Sequence, residues 1–227
     1  LTAAGTAVVT AGTLYSGAGD TLSGGSFAYT DKNVGIGNKT VTVSVVTVGD
    51  GVNNANYSVS YASNTTSSIT PYAVNLSGSR VYDGTLAVAA ASLTLAPLVG
   101  SETLTLAGTG TLASKDIGTG KTVGLGTLAL GNGSDGGLAA NYSFAGGTQT
   151  VDITARALSV SATGIHKIYD GTVTASVTLA DNRVSGDVLT LANTSASFSA
   201  KNVGAAKAVS VSGISVTIGS KEQPFGV

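Results

Sequence analysis

The 227-residue chain has no cysteine, methionine or tryptophan, one histidine and three prolines, and only 5% of its residues are aromatic and 10% charged. Each shortage removes a class of protein. Without cysteine there are no disulfide staples and no structural zinc held by thiolates. A cysteine-free chain also suits export in the unfolded state, because a disulfide formed on the way would jam the thread. Ordinary globular domains carry about 25% charged residues; here the carboxylates are too few and too scattered to recur as a paired general acid and base. No enzyme activity is expected. With a net charge of -1 and no basic cluster, nothing would neutralise a row of phosphates, so nucleic acid is not an expected partner. No apolar run reaches the roughly 18 residues of a bilayer span. The nearest, residues 86–99, is interrupted by Ser92, Thr94 and Pro97.

What the chain does have is a repeat. Ser79-Arg80-Val81-Tyr82-Asp83-Gly84-Thr85 returns 87 residues later as His166-Lys167-Ile168-Tyr169-Asp170-Gly171-Thr172, a spacing far above the roughly 20 to 30 residues of a solenoid coil. Other landmarks keep the same beat. Lys32-Asn33-Val34-Gly35 recurs as Lys115-Asp116-Ile117-Gly118 and Lys201-Asn202-Val203-Gly204, Asn56-Tyr57 as Asn141-Tyr142, and Ile69-Thr70 as Ile153-Thr154. Because the order of landmarks is constant, one fold copied along the chain is expected.

The phase of the copies divides the sequence into residues 1–71, a unit expected to lack its start, 72–157, a complete unit, and 158–227, a unit expected to lack its end. Counting from the landmarks puts a missing tyrosine just before Leu1 and a missing Asn-Tyr pair at about Val227. The chain therefore reads as a window on a longer array, and the absence of an initiator methionine or signal peptide agrees.

Within each unit the period is two. Lys39-Thr40-Val41-Thr42-Val43-Ser44-Val45, Glu102-Thr103-Leu104-Thr105-Leu106 and Lys207-Ala208-Val209-Ser210-Val211 alternate apolar or aliphatic with polar residues, the signature of half-buried strands. Valine, threonine and serine dominate these stretches, and glycine-rich breaks at 17–19, 131–137 and 146–147 separate them. The expected fold class is all-β: tandem, small, antiparallel β-sandwich-like domains of about 85 residues, six or seven strands each. Ile69-Thr70-Pro71-Tyr72 and Ile153-Thr154-Ala155-Arg156 run from one unit into the next without a flexible spacer, so the units are expected to join end to end as a semi-rigid rod.

Several constellations resemble chemistry and are better read as structure. Gly118-Thr119-Gly120-Lys121-Thr122 looks like part of a phosphate loop, yet Lys115 stands where the leading glycine is needed and an alternating strand follows where a helix should. Its counterparts, ending in Lys39 and Lys207, mark it as a turn into a strand. Tyr82-Asp83-Gly84 and Tyr169-Asp170-Gly171 predict a tight turn, with the aspartate accepting backbone N–H groups, the glycine at positive φ and the tyrosine hydroxyl on a backbone partner. His166 corresponds to Ser79, so it belongs to no repeated metal or catalytic site. Asn132-Gly133-Ser134-Asp135-Gly136-Gly137 resembles a calcium loop but occurs once and is poor in carboxylates. No catalytic, cofactor-binding or metal-binding residue is assigned, and no cofactor is expected. Asn38, Asn56, Asn64, Asn75, Asn132, Asn141 and Asn193 open glycosylation triplets of the kind a Ser/Thr-rich chain produces by chance.

Taken in order, the Tyr-Asp-Gly-Thr opening, the strand starts at Gly19 and Gly100, the Lys-Asn-Val-Gly turn, the Asn-Tyr pair and the Ile-Thr exit resemble the YDG-type and related MBG-type repeats of large bacterial exoproteins. The resemblance covers the whole chain and implies repeats in filamentous-haemagglutinin-like adhesins exported by two-partner secretion. It implies an extracellular location, at the bacterial cell surface or in a biofilm matrix, and a mechanical role as stalk or spacer. The expected partners are neighbouring repeats of the same polypeptide, other copies of the chain, or surface polysaccharide. Two alternatives follow: a carbohydrate- or surface-binding module acting through exposed tyrosine and threonine, and a self-assembling filament subunit completed by strand exchange at its open edges.

Overall fold

In a computed structural model the described residues are 1–52 and 55–218. The end of the third repeat, including the expected Asn-Tyr position near Val227, lies outside them. Among the described residues the chain is all-β, with nineteen strands, three single-turn 3-10 helices and no closed barrel.

Two compact units can be distinguished. The first gathers Leu1–Ser77, Ala89–Thr109 and Leu125–Gln149; the second gathers Gly78–Val88, Gly110–Gly124 and Thr150–Val227. Segments of the middle repeat therefore belong to both.

In the first unit the long strands Thr21–Tyr29 and Gly35–Gly49 pair antiparallel, and Asn64–Ile69 lies on the far side of Gly35–Gly49. Leu104–Ala107 pairs antiparallel with Ala129–Asn132. The expected alternation is visible in burial: Leu104 and Leu106 are half-buried while Thr103 and Thr105 face water. Tyr72–Ala73 and Tyr142–Ser143 pair in parallel, and the Tyr72 and Tyr142 rings meet edge to face with centroids 6.2 Å apart, the geometry that ring quadrupoles favour.

In the second unit Gly118–Thr122 pairs antiparallel with Thr150–Thr154, which in turn runs parallel to the last residues of Asn75–Val81, with Ile153 opposite Arg80. Three antiparallel pairs complete it: Val160–Gly164 with Val177–Asp181, Leu189–Ala192 with Ser215–Ile218, and Ser195–Phe198 with Val209–Ser212.

The parallel pairs correct the expectation of a purely antiparallel fold. Alternation reports that one face of a strand is buried and carries no information on direction. Direction is set by the connection: the middle repeat brings its exit strand back beside its entry strand, and a crossover of this length allows parallel pairing.

Burial is modest and falls mainly in the middle repeat. Among the described residues Val74, Leu76, Val88 and Val151 are the largest fully buried side chains, and every buried apolar residue except Val48 and Ala196 lies between residues 74 and 153. Such small side chains are what a sequence rich in alanine and valine and without tryptophan can supply. Burying a valine or leucine contributes about 1.5 to 3 kcal/mol.

Candidate functional site

The residues that recur most regularly build two devices, a clasped turn and a joint between repeats.

The clasped turn is the Tyr-Asp-Gly-Thr motif. The Asp83 carboxylate accepts both the backbone N–H and the hydroxyl of Thr85 at 2.9 Å, and Asp170 accepts the same two groups of Thr172 at 2.9 Å. Gly84 and Gly171 both sit at φ 78°, where a side chain would be strained and glycine is not. A cation three residues before the aspartate closes each turn: Arg80 pairs with Asp83 and Lys167 with Asp170 at 2.7 Å. The cation also reaches past the turn, Arg80 to the Thr85 carbonyl at 2.7 Å and Lys167 to the Thr174 carbonyl at 2.8 Å. The Asp170 carboxyl is held at about 2, chiefly by the Lys167 ammonium and then by Thr172. At Asp83 burial pushes the pKa up, but Thr85 and Arg80 outweigh it and the net shift is downward.

The joint consists of a lysine from the Lys-Asn-Val-Gly turn of one repeat and the carboxylate that opens a strand of the next. In the first unit Lys32 meets Glu102 at 2.6 Å. In the second unit Lys115 meets Asp187 at 3.4 Å. Further contacts reinforce each. Asn141 accepts the Val34 N–H at 2.9 Å and donates its amide to Asn33 at 3.0 Å. Tyr82 donates its hydroxyl to Asp187 at 2.7 Å, and Lys115 stands 5.7 Å from the centre of the Tyr82 ring. The shifts match the geometry. Lys32 raises no cost in staying charged, since Glu102 holds its pKa up; Lys32, then Tyr142, holds Glu102 down. Lys115 is raised by the Tyr82 hydroxyl and by Asp187.

The Asn-Tyr tyrosine ties the same acid from within its own repeat. Tyr142 accepts the Val99 N–H at 3.1 Å and donates to Glu102 at 2.7 Å; Tyr57 accepts the Tyr15 N–H at 3.2 Å and donates to Asp20. Burial first, and then Glu102, pushes the Tyr142 hydroxyl up.

The remaining candidates resolve into structure. Gly118–Thr122 is a strand whose Lys121 ammonium folds back onto the Asp116 carbonyl at 2.5 Å, as Lys207 does onto the Asn202 carbonyl at 2.5 Å, while Lys39 pairs with Asp31. The 132–137 loop is closed by its own bonds, Gly133 to Gly137 and Gly137 to Ser134 at 3.0 Å. Among the described residues no three His, Asp or Glu side chains are grouped to hold a metal, and His166 is exposed. Four of the glycosylation-triplet asparagines have their side chains engaged: Asn64 accepts from Thr66 and Asn132 from Ala139 close by in sequence, Asn75 from Thr148 and Asn141 from Val34 over long range.

Two features escaped the sequence reading. The Tyr82 hydroxyl was expected on a backbone partner and instead meets a carboxylate of the next repeat. The lysine–acid pairs were also missed, although in a charge-poor chain the recurrence of Lys32, Lys115 and Lys201 alongside Asp20, Glu102 and Asp187 was a usable signal.

A family model for the YDG domain matches residues 65–151 and again residues 154–223. The chain belongs to the YDG domain family. No curated protein and no solved structure matches it.

Proposed function

We propose that this chain is a stretch of stalk from a large bacterial surface adhesin or biofilm-matrix protein, of the filamentous-haemagglutinin-like kind exported by two-partner secretion. Its work is mechanical. Successive sandwich-like repeats join end to end as a rod that spaces other regions away from the cell, with no catalysis. The observation that carries this reading is the recurrence of one joint: lysine to acid between the first and second repeats, and again between the second and third. A spacer needs the same connection at each step, and a binding module does not. The charged residues of a chain this poor in charge go largely to turns and joints, in keeping with a structural role.

Two measurements test the reading. Antibodies raised against the chain should label intact cells of the source bacterium, and pulling on single chains should reveal no freely extensible segment between repeats. Labelling confined to permeabilised cells would overturn the location, and a slack joint would overturn the spacer. Glycan-array binding lost on replacing exposed tyrosines such as Tyr15 and Tyr61 would instead identify a carbohydrate-recognition module.

A further inference from the structure

The middle repeat lays its exit strand beside its entry strand, and the two run in the same direction. In one part of this pair Tyr72 lies opposite Tyr142 and Ala73 opposite Ser143; in the other Ser79 lies opposite Asp152, Arg80 opposite Ile153 and Val81 opposite Thr154. Backbone bonds close both parts. The Ser143 carbonyl accepts the Val74 N–H and the Thr148 carbonyl accepts the Leu76 N–H, each at 2.9 Å, and the Thr154 carbonyl accepts the Tyr82 N–H at 2.9 Å. Side chains add to them: the Asn75 amide oxygen accepts the Thr148 N–H at 2.8 Å, and the Thr154 hydroxyl donates to the Arg80 carbonyl at 3.3 Å. Neither strand is an edge, because Leu93–Ala96 flanks the entry strand and Gly118–Thr122 the exit strand. Val74 and Leu76 of the entry strand and Val151 and Ile153 of the exit strand are each 3% exposed or less.

Parallel direction decides how such a pair takes load. Tension on the polypeptide enters the middle repeat at Pro71, ahead of the entry strand, and leaves at Ala155, beyond the exit strand. In each part it draws the entry strand toward its N-terminal end and the exit strand toward its C-terminal end, so the two are forced to slide along one another. The interstrand bonds cross the direction of sliding and are evenly spaced, so those of one part are strained together and share the force. An antiparallel pair joined in this way would have its two loaded ends side by side, and its bonds would open one at a time. Burial matters too, since water that cannot reach a stretched bond cannot replace it. We infer that this parallel pair is a mechanical clamp, the element that sets the force at which the middle repeat unfolds under tension along the chain. The role is load-bearing, beyond spacing alone, and it rests on the stalk reading because a stalk is what carries such tension.

Single-molecule pulling of the full chain through chosen pairs of handles tests the clamp. The chain has no cysteine, so two introduced thiols, kept reduced until coupled, fix the points of attachment. Pro71→Cys with Ala155→Cys loads the pair in shear. Val81→Cys with Ala155→Cys places both handles at one end of the pair, and Pro71→Cys with Ala140→Cys places both at the other, so these two variants peel it. All four positions are exposed. Thermal melts check that each variant folds like the native chain. Should the shear variant melt lower, Thr70→Cys with Arg156→Cys, also exposed, takes its place, and two peeling variants keep the comparison available if one unfolds. At one pulling speed the rupture force should be several-fold higher in shear than in either peeling geometry, because forced unfolding is governed by the barrier along the direction pulled. A shear force equal to or below the peeling force would overturn the clamp. That result would leave the spacer reading intact, because cell labelling and the absence of slack between repeats test it independently; labelling confined to permeabilised cells would overturn the location and leave the measured clamp standing.

Discussion

The Tyr82 hydroxyl donates to the Asp187 carboxylate at 2.7 Å across 105 residues of sequence, tying the opening motif of one repeat to the strand start of the next. The bond is partly buried and charge-assisted, which makes it about twice as strong as a neutral one. Asp187 also takes Lys115. Tyr82→Phe should therefore cost about 1 to 2 kcal/mol, and Asp187→Ala more, because it strips a partner from both Tyr82 and Lys115. Urea melts of the two single variants and the double variant give the coupling energy, expected at roughly 0.5 kcal/mol or above. Strict additivity would mean the two groups do not interact.

Acid should release the clasped turn of the third repeat late. Asp170 titrates at about 2 when folded, against 3.8 without its partners, and the Lys167 hydrogen bond is the largest cause. A depressed folded pKa means that the turn's contribution is complete above 3.8 and is lost as the pH falls from there through 2. Carboxyl NMR should place the Asp170 midpoint near 2, and Lys167→Met should move it upward. A midpoint unchanged by that substitution would remove lysine as the cause.

The two motif glycines should differ in tolerance. Both sit at φ 78°, so alanine is strained at either position, by about 1 to 2 kcal/mol. Only at Gly84 would the new methyl meet a side chain, Val184 Cγ1 at 2.6 Å, while Gly171 faces open space. Gly84→Ala should exceed Gly171→Ala by about 1 kcal/mol or more. Equal losses in thermal melts would mean that Val184 does not cover the turn.

The contrast between what was and was not legible follows the range of the interaction. Asp83-Gly84-Thr85 could be read directly because the turn is closed by groups two residues apart, and the aspartate and glycine each have a local reason to be there. The alternations at Leu104, Leu106, Val209 and Val211 were equally visible, since burial of one strand face writes a period of two into the sequence. The Lys32–Glu102 pair was not, because its members lie 70 residues apart and no local pattern depends on their meeting. The direction of Thr150–Thr154 beside Asn75–Val81 was hidden for a related reason: pairing direction depends on how the whole repeat returns, and either direction buries the same side chains.

Val45 breaks a period that the sequence carries cleanly. In the strand Gly35–Gly49, Val41 and Val43 are half-buried and Val45 should follow them inward, yet it is 71% exposed while Val46 and Val48 take the inner positions. Its φ is 53°, opposite Gly24 at 69° and Gly25 at 110°. The register stays in step, Gly24 with Val46 and Ser26 with Ser44, so both strands kink together and neither gains an extra residue. Glycine accepts such a kink freely; a β-branched residue there costs about 1 to 2 kcal/mol. Because Val45 buries little, Val45→Asn should stabilise the chain by about 1 kcal/mol, asparagine being at ease in the left-handed region. Val45→Gly should gain less, since glycine also loosens the unfolded chain. The control is Val48→Ala, which empties a buried position and should destabilise by about 1 kcal/mol or more. Thermal melts read all three, and a loss of stability in Val45→Asn would mean that the valine is held there by packing that outweighs its strain.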